Sequence, residues 1–376
     1  MLYFDHNATT SVHPRVKELI GDMLGKLSNP SSVHTFGRNA RDSVELARRQ
    51  ILTSLGVNRN SREYQLIFTS SGTESNNLLL QNYNDGEIFF SSIEHPSIFD
   101  HHKVRSNIRI IDVDNNGVID LEHLDSLLKA SNSKKKLVSV MLANNETGVI
   151  QNMEEIAKIA RKYSAELHSD CVQAAGKIRL NIKELDLDYA TISAHKLGGI
   201  QGSGALLAKS EHKLTAMIIG GGQEQNVRSG TENVLAISAF GLAMSIAAQE
   251  IEERYDSMKK LQRYLEEYLL NKYQQIKIVS KNVLRLPNTS LVLVPGTSAE
   301  TKLIALDLHG IAVSNGSACS SGKVGKSHVL SNMGYNNDEA KSAIRISFSH
   351  EQTIKDVQTF IQAFEEIYSQ ELVCTN

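Results

Sequence analysis

Lys196 follows the strand-like run Leu187 to Ser193 and precedes the glycine-rich stretch Gly198-Gly199-Ile200-Gln201-Gly202-Ser203-Gly204. An ammonium is costly to desolvate, so a lysine at the mouth of a buried strand points to a depressed pKa and an amine able to form a Schiff base. A lysine that merely snorkels to the surface is the plain alternative. Asp170 closes a second strand-like run, Ala165 to Ser169, where a carboxylate could pair with a protonated ring nitrogen or simply cap the next helix. Gln173, further along the same turn, could donate to a ring-bound oxygen or face water. His95, in Ser92-Ile93-Glu94-His95-Pro96, offers a flat ring that could stack on a cofactor, or a polar turn and nothing more. Tyr64 to Thr69 runs into Ser70-Ser71-Gly72-Thr73-Glu74 and then an apolar helix beginning near Asn77. Strand, glycine turn and helix N-terminus together bind phosphate through backbone N–H groups and the helix dipole, although Ser71 or Thr73 capping a helix gives the same pattern.

Cys319 lies in a loop of small residues, Ser314 to Lys326, too polar and flexible to bury a thiol for packing. Lys323 and Lys326 favour its thiolate, and glycines on both sides would let the loop swing. Cys171 sits beside a strand end and is expected to pack, whereas Cys374 belongs to a terminal tail. Arg345, within Ala343-Ile344-Arg345-Ile346-Ser347, could clamp a carboxylate bidentately or lie on the solvent face of a strand. Asn144-Asn145-Glu146-Thr147-Gly148 is a dense polar turn after the run Lys136 to Ala143. His101-His102 has no carboxylate or cysteine at ligand spacing, so no metal site is expected.

Something must hold these groups together. Strand-like and helix-like runs alternate through the first two thirds of the chain, the signature of an α/β fold. Tyr64–Thr69, Glu87–Ser91, Lys136–Ala143, Ala165–Ser169, Tyr189–Ser193 and Ala205–Ala208 read as strands, several apolar enough to be buried and parallel. A crossover helix begins near Asn152 as its cap, with Met153, Ile156, Ile159, Ala160 and Tyr163 on one face. Val234 to Ala248 reads as a buried core helix, and a long amphipathic helix from about Ile251 to Tyr273 marks the passage to a smaller α+β unit. The expected division is 13–250 for a large domain, with 1–12 and 251–376 forming the small one.

Bulk properties exclude other classes. With 376 residues, 41% of them hydrophobic, and a net charge of -2, the chain has no basic surface for nucleic acid and enough apolar residues for two cores. Its 3 scattered cysteines suit free thiols in a reducing, cytoplasmic compartment. No signal-like or spanning segment is evident, so no membrane association is expected.

Taken together, the residues resemble the cysteine desulfurases, fold-type I pyridoxal phosphate enzymes, in the group with the longer mobile cysteine loop. The likeness runs from Tyr3-Phe4-Asp5-His6-Asn7-Ala8-Thr9-Thr10 to beyond Arg345. It includes Ser71-Gly72-Thr73-Glu74-Ser75-Asn76-Asn77, Glu94-His95-Pro96, His168-Ser169-Asp170, Gln173-Ala174-Ala175-Gly176-Lys177, Ser193-Ala194-His195-Lys196, Arg228-Ser229-Gly230-Thr231 and Gly316-Ser317-Ala318-Cys319. The resemblance implies pyridoxal 5'-phosphate on Lys196, with Asp170 at the ring nitrogen, His95 stacked on the ring and shuttling protons, and Asn145 and Gln173 near the phenolic oxygen. It implies a phosphate cup of Gly72, Thr73, Ser193 and His195, completed by Thr231 across a homodimer. Arg345, with Asn145, would hold the L-cysteine substrate, and Cys319 would take its sulfur as a persulfide for an acceptor such as an iron-sulfur scaffold. An aminotransferase or selenocysteine lyase on the same fold, or a sulfur carrier without catalysis, are the alternatives. The chain departs from the usual pattern at Ser71, at Cys171-Val172 and at Gly199-Ile200-Gln201-Gly202. It also ends sooner after Arg345 than the longer members, which leaves the acceptor open.

Overall fold

Near-continuous apolar runs need cover on both faces, and the chain supplies it by winding helices around a central sheet. The computed structural model describes residues 1–58, 61–296, 298–315 and 327–373. After the short β1 (Leu2–Tyr3), the central sheet is built from β2 (Tyr64–Thr69), β3 (Glu87–Ser91), β4 (Ile108–Ile111), β5 (Lys136–Ser139), β6 (Glu166–Asp170), β7 (Tyr189–Ser193) and β8 (Gly204–Lys209). Its 7 strands lie in the order β2-β8-β7-β6-β5-β3-β4. From β4 through β7 all neighbours are parallel, while β8 is antiparallel to both β7 and β2. The fold is therefore α/β with a mostly parallel central sheet.

Beyond it come β9 (Lys277–Ile278), β10 (Thr289–Leu293), β11 (Ile311–Ala312), β12 (Ser314–Asn315) and β13 (Ala343–Ser347). A 4-stranded antiparallel sheet runs β12-β13-β10-β9, and β1 pairs in parallel with β11. The first residues of the chain thus join the last third. Phe4 packs with Leu265, Phe348, Phe360 and Phe364 in a core separate from that of the central sheet.

Several elements differ from the sequence reading. Ala205–Ala208, read as a strand without a direction, runs antiparallel to its neighbours; full burial makes a strand apolar whichever way it runs. The edge strand β4 escaped notice because it is short and only Ile111 is buried in it. The helix expected near Asn77 starts at Gly72, because Ser71 caps it by accepting from Glu74 N. The strand expected over Lys136–Ala143 begins at Lys136 but ends at Ser139, and Lys135 before it pairs with Asp85 at 2.8 Å. Asn152 does cap the crossover helix Met153–Lys162. No single helix among the described residues is long and apolar enough to cross a membrane.

The helices Thr35–Ser54 and Val234–Gln249 cross closely beneath the sheet, with Val44, Ala47 and Ile51 meeting Phe240 and Ala243 in one core. A Cβ at Gly241 would lie 2.4 Å from Ala47 Cα, so Gly241→Ala must push two backbones apart. We expect this variant to lose about 1–3 kcal/mol in chemical denaturation, although alanine is the better helix former.

Candidate active site

Thr69, Ser91, Ser139, Asp170 and Ser193 end β2, β3, β5, β6 and β7 along one edge of the sheet, and the loops that follow surround a cleft. Open α/β sheets bind ligands at such an edge. The cleft, about 780 Å³, is lined by residues that include Gly72, Thr73, Asn76, His95, Asn145, Asp170, Gln173, Ser193, His195 and Lys196.

One wall is the N-terminus of the helix Gly72–Gln81. The turn before it lies so close to β8 that a Cβ on Gly204 would approach Ser71 C to 2.4 Å. Glu74 faces away from the cleft, since Arg228 holds it at 2.8 Å. Ser193 and His195 lie opposite. Burial, and then the nearby charge of Lys196, lower the His195 imidazole to about 4, so it is a neutral hydrogen-bonding ring at pH 7. Its Nδ1 lies 3.3 Å from Thr9 Oγ1.

Asp170 is 5% exposed. Its Oδ1 accepts from Val172 N at 3.0 Å and its Oδ2 from Asn76 Nδ2 at 2.9 Å. These bonds fix the carboxylate's orientation in the cleft. Asn76 was not singled out from sequence; a polar residue one turn into an apolar helix was the available signal. His95 Nδ1 accepts from Ser97 N at 3.1 Å and lies 2.8 Å from Ser97 Oγ. In the neutral ring that assignment leaves the proton on Nε2. Burial lowers the His95 pKa, Asp170 opposes the shift, and Lys196 adds to it.

Lys196 Nζ donates to Asn7 O at 2.5 Å and to Ala8 O at 2.7 Å. Asn7 O also accepts from Gln173 Nε2 at 3.0 Å. The N-terminal segment therefore runs beside the amine and ties it to the second sheet, because Asn7 Nδ2 donates to Thr289 Oγ1 at 2.9 Å and to Asn145 O at 3.1 Å. Sequence reasoning gave Asn7 no role, and only the fold could have placed residue 7 there.

Arg345, 1% exposed, donates to Asn145 O at 3.1 Å and to Asp5 Oδ1 at 2.5 Å. It is thus not on the solvent face of its strand. It lies behind Asn145 rather than in the cleft lining, and its buried Nε has no hydrogen-bond partner among the described residues. Glu146, beside Asn145, is fully buried and accepts from Ser327 Oγ at 2.6 Å. Burial raises Glu146 to about 7, against the Ser327 hydrogen bond and the Arg345 charge.

Thr231, expected to act from a partner subunit, is exposed and outside the lining of this chain's cleft, and Cys319 and Cys374 lie outside the described residues. Cys171 is buried, and its thiol is pushed up to about 12 by that burial, so it packs rather than reacts. No group of residues that could hold a metal occurs among the described residues.

The donor set fits pyridoxal 5'-phosphate. An amine, an oriented carboxylate and a flat imidazole line one cleft with a helix N-terminus, and the buried Asn76 Oδ1 has no partner among the described residues.

Comparison with known proteins identifies the family. The model of the family "Aminotransferase class-V" matches residues 2–360. The putative cysteine desulfurase IscS 1 of Bacillus subtilis (strain 168) is 35% identical over 372 residues, 95% of this chain and 96% of that one. A NifS-like protein from Rickettsia africae ESF-5 superposes with a TM-score of 0.94 at 55% identity, covering 98% of this chain and 99% of the other. A structure described as SspA in complex with cysteine gives a TM-score of 0.79 at 25% identity over 94% of this chain and 100% of that one.

Proposed function

This chain belongs to the class-V aminotransferase family, within its cysteine desulfurase branch, and on that premise we propose that it removes sulfur from L-cysteine. The products are L-alanine and a persulfide on Cys319. The reading is supported most by the meeting of Lys196, Asp170 and His95 in one cleft. Pyridoxal phosphate bound there supplies an electron sink that acidifies the substrate α-carbon and weakens its Cβ–S bond.

The chain's own groups do the rest. Gly72, Thr73, Ser193 and His195 hold the phosphate, with Thr231 added across the interface of a homodimer. Asp170 keeps a proton on the ring nitrogen, His95 covers the ring face, and Gln173 and Asn145 donate at the ring-edge oxygen. Lys196 Nζ carries the cofactor and moves the substrate α-proton; the Asn7 and Ala8 carbonyls hold it in place. His95 Nε2 carries a proton toward the substrate. The Cys319 thiolate attacks the substrate sulfur: an S–S bond forms, the Cβ–S bond breaks with its electron pair on carbon, and protonation there yields alanine. Atoms balance as L-cysteine plus thiol giving L-alanine plus persulfide.

The Arg345 guanidinium would hold the substrate carboxylate through the donor capacity that Asp5 and Asn145 leave. Arg345→Lys keeps the charge but loses the planar fork. We expect it to raise KM for L-cysteine about tenfold, ~1.4 kcal/mol, with kcat nearly unchanged. Steady-state sulfide release with a reductant measures both constants. Equimolar alanine and sulfide from L-cysteine support the desulfurase reading, whereas amino transfer to a 2-oxo acid without sulfide supports an aminotransferase.

The persulfide sulfur would pass to an acceptor protein for iron-sulfur cluster assembly in the cytoplasm, the compartment that free thiols favour. Residues 13–250 would form the cofactor-binding domain, and 1–12 with 251–376 the small domain carrying Cys319 and Arg345.

A further inference from the structure

Lys177 is 5% exposed and forms no ion pair among the described residues. Its Nζ donates to Gln173 Oε1 at 2.5 Å and to Asn7 Oδ1 at 2.7 Å. It ends a turn in which Gly176, at φ +77, lies so close to Leu197 that a Cβ there would meet Leu197 Cβ at 2.8 Å. The turn is therefore packed against the residue that follows Lys196.

A lysine ammonium donates and never accepts, whereas each amide can be turned either way. Lys177 thus decides which end of each amide faces it. With Oε1 of Gln173 committed to Lys177, Nε2 must point the other way, toward Asn7 O beside Lys196. With Oδ1 of Asn7 taken by Lys177 and by Asn288 Nδ2 at 3.0 Å, Nδ2 of Asn7 must donate to Thr289 Oγ1 and Asn145 O. That arrangement leaves the Asn7 carbonyl facing Lys196.

We propose that Lys177 is a positioning residue for the reaction at Lys196: it locks the Gln173 amide with its NH2 toward the cofactor and locks Asn7 with its carbonyl toward the amine. The proposal rests on the pyridoxal phosphate reading of the cleft. Lys196, Arg345 and Asp5 are the charged groups that act on Lys177, and His6 lies in the same small cavity. Burial and the two cations all disfavour a charge on Lys177, with Asp5 alone opposing them. Even as a neutral amine Nζ keeps two N–H groups, the number that the Gln173 and Asn7 oxygens use.

The test is a pH titration of the visible absorbance of the holoenzyme. Lys177→Met keeps length and removes the donor. Its titration midpoint is expected to rise by about one pH unit, the size of one lost hydrogen bond, in the same direction as Gln173→Ala. The double variant is expected to match Gln173→Ala alone. An unchanged midpoint in Lys177→Met, or shifts that add in the double variant, would overturn the proposal. Lys177→Arg retains a group that only donates and is expected to keep the wild-type midpoint; a shift in it as large as that of Gln173→Ala overturns the proposal even if Lys177→Met does not fold. A wild-type holoenzyme preparation with no visible absorbance would instead contradict the cofactor reading itself, and the proposal with it.

Discussion

Lys196→Ala should lose sulfide release from L-cysteine by at least about a thousandfold, together with the visible absorbance of bound cofactor. Removing the amine removes the proposed covalent anchor and the group proposed to move the α-proton, and Lys177 Nζ is already tied to Gln173 Oε1 and Asn7 Oδ1. The fold should survive. Lys196 sits in a short turn after β7 whose backbone bonds, Leu197 N to Ala194 O at 3.2 Å and Gly199 N to Ala194 O at 3.0 Å, do not use its side chain. Two of its hydrogen bonds go to the Asn7 and Ala8 carbonyls, neutral acceptors that water can satisfy in the alanine variant. Unchanged thermal unfolding with lost activity is the expected pair of results. A Lys196→Ala enzyme that kept a tenth of wild-type turnover would remove this lysine from the mechanism.

Cys319→Ala should be as damaging to turnover and harmless to the cleft. The residues proposed to hold the cofactor all lie outside the loop that carries Cys319 in the sequence. The visible absorbance should therefore persist and still respond to added L-cysteine, while sulfide release falls by about two to three orders of magnitude. This separates sulfur transfer from other reactions on the same fold, because an aminotransferase would lose nothing with the thiol. Cys171 cannot substitute, being buried with its thiol held up near 12. If Cys319→Ala released sulfide at the wild-type rate, the persulfide step would have to be abandoned.

Much of this site was readable in advance because its parts lie at ends of strongly apolar strands. Asp170, Ser193 and Lys196 follow runs that could only be buried, and His95 and Asn145 follow β3 and β5 in the same way. Fold class followed from the same alternation. What escaped was set by distances along the chain: Asn7 meets Lys196, Asn145 and Asn288 only after β1 has joined β11 in the other half of the molecule. No local pattern marks residue 7 as a neighbour of residue 196. The direction of β8 was equally hidden, since an antiparallel strand with both faces covered is as apolar as a parallel one. Asp5 illustrates a third limit: its short bond gives Arg345, the residue proposed to hold the substrate carboxylate, a resident counter-ion that spacing could not have foretold.

The most direct test is one turnover of the holoenzyme with sulfur-labelled L-cysteine and no reductant, followed by mass spectrometry of the peptide containing Cys319. The account predicts one alanine formed per active site and one labelled sulfur atom added to Cys319, with none on Cys171. Alanine and free sulfide with an unmodified Cys319, or no alanine at all, would contradict it.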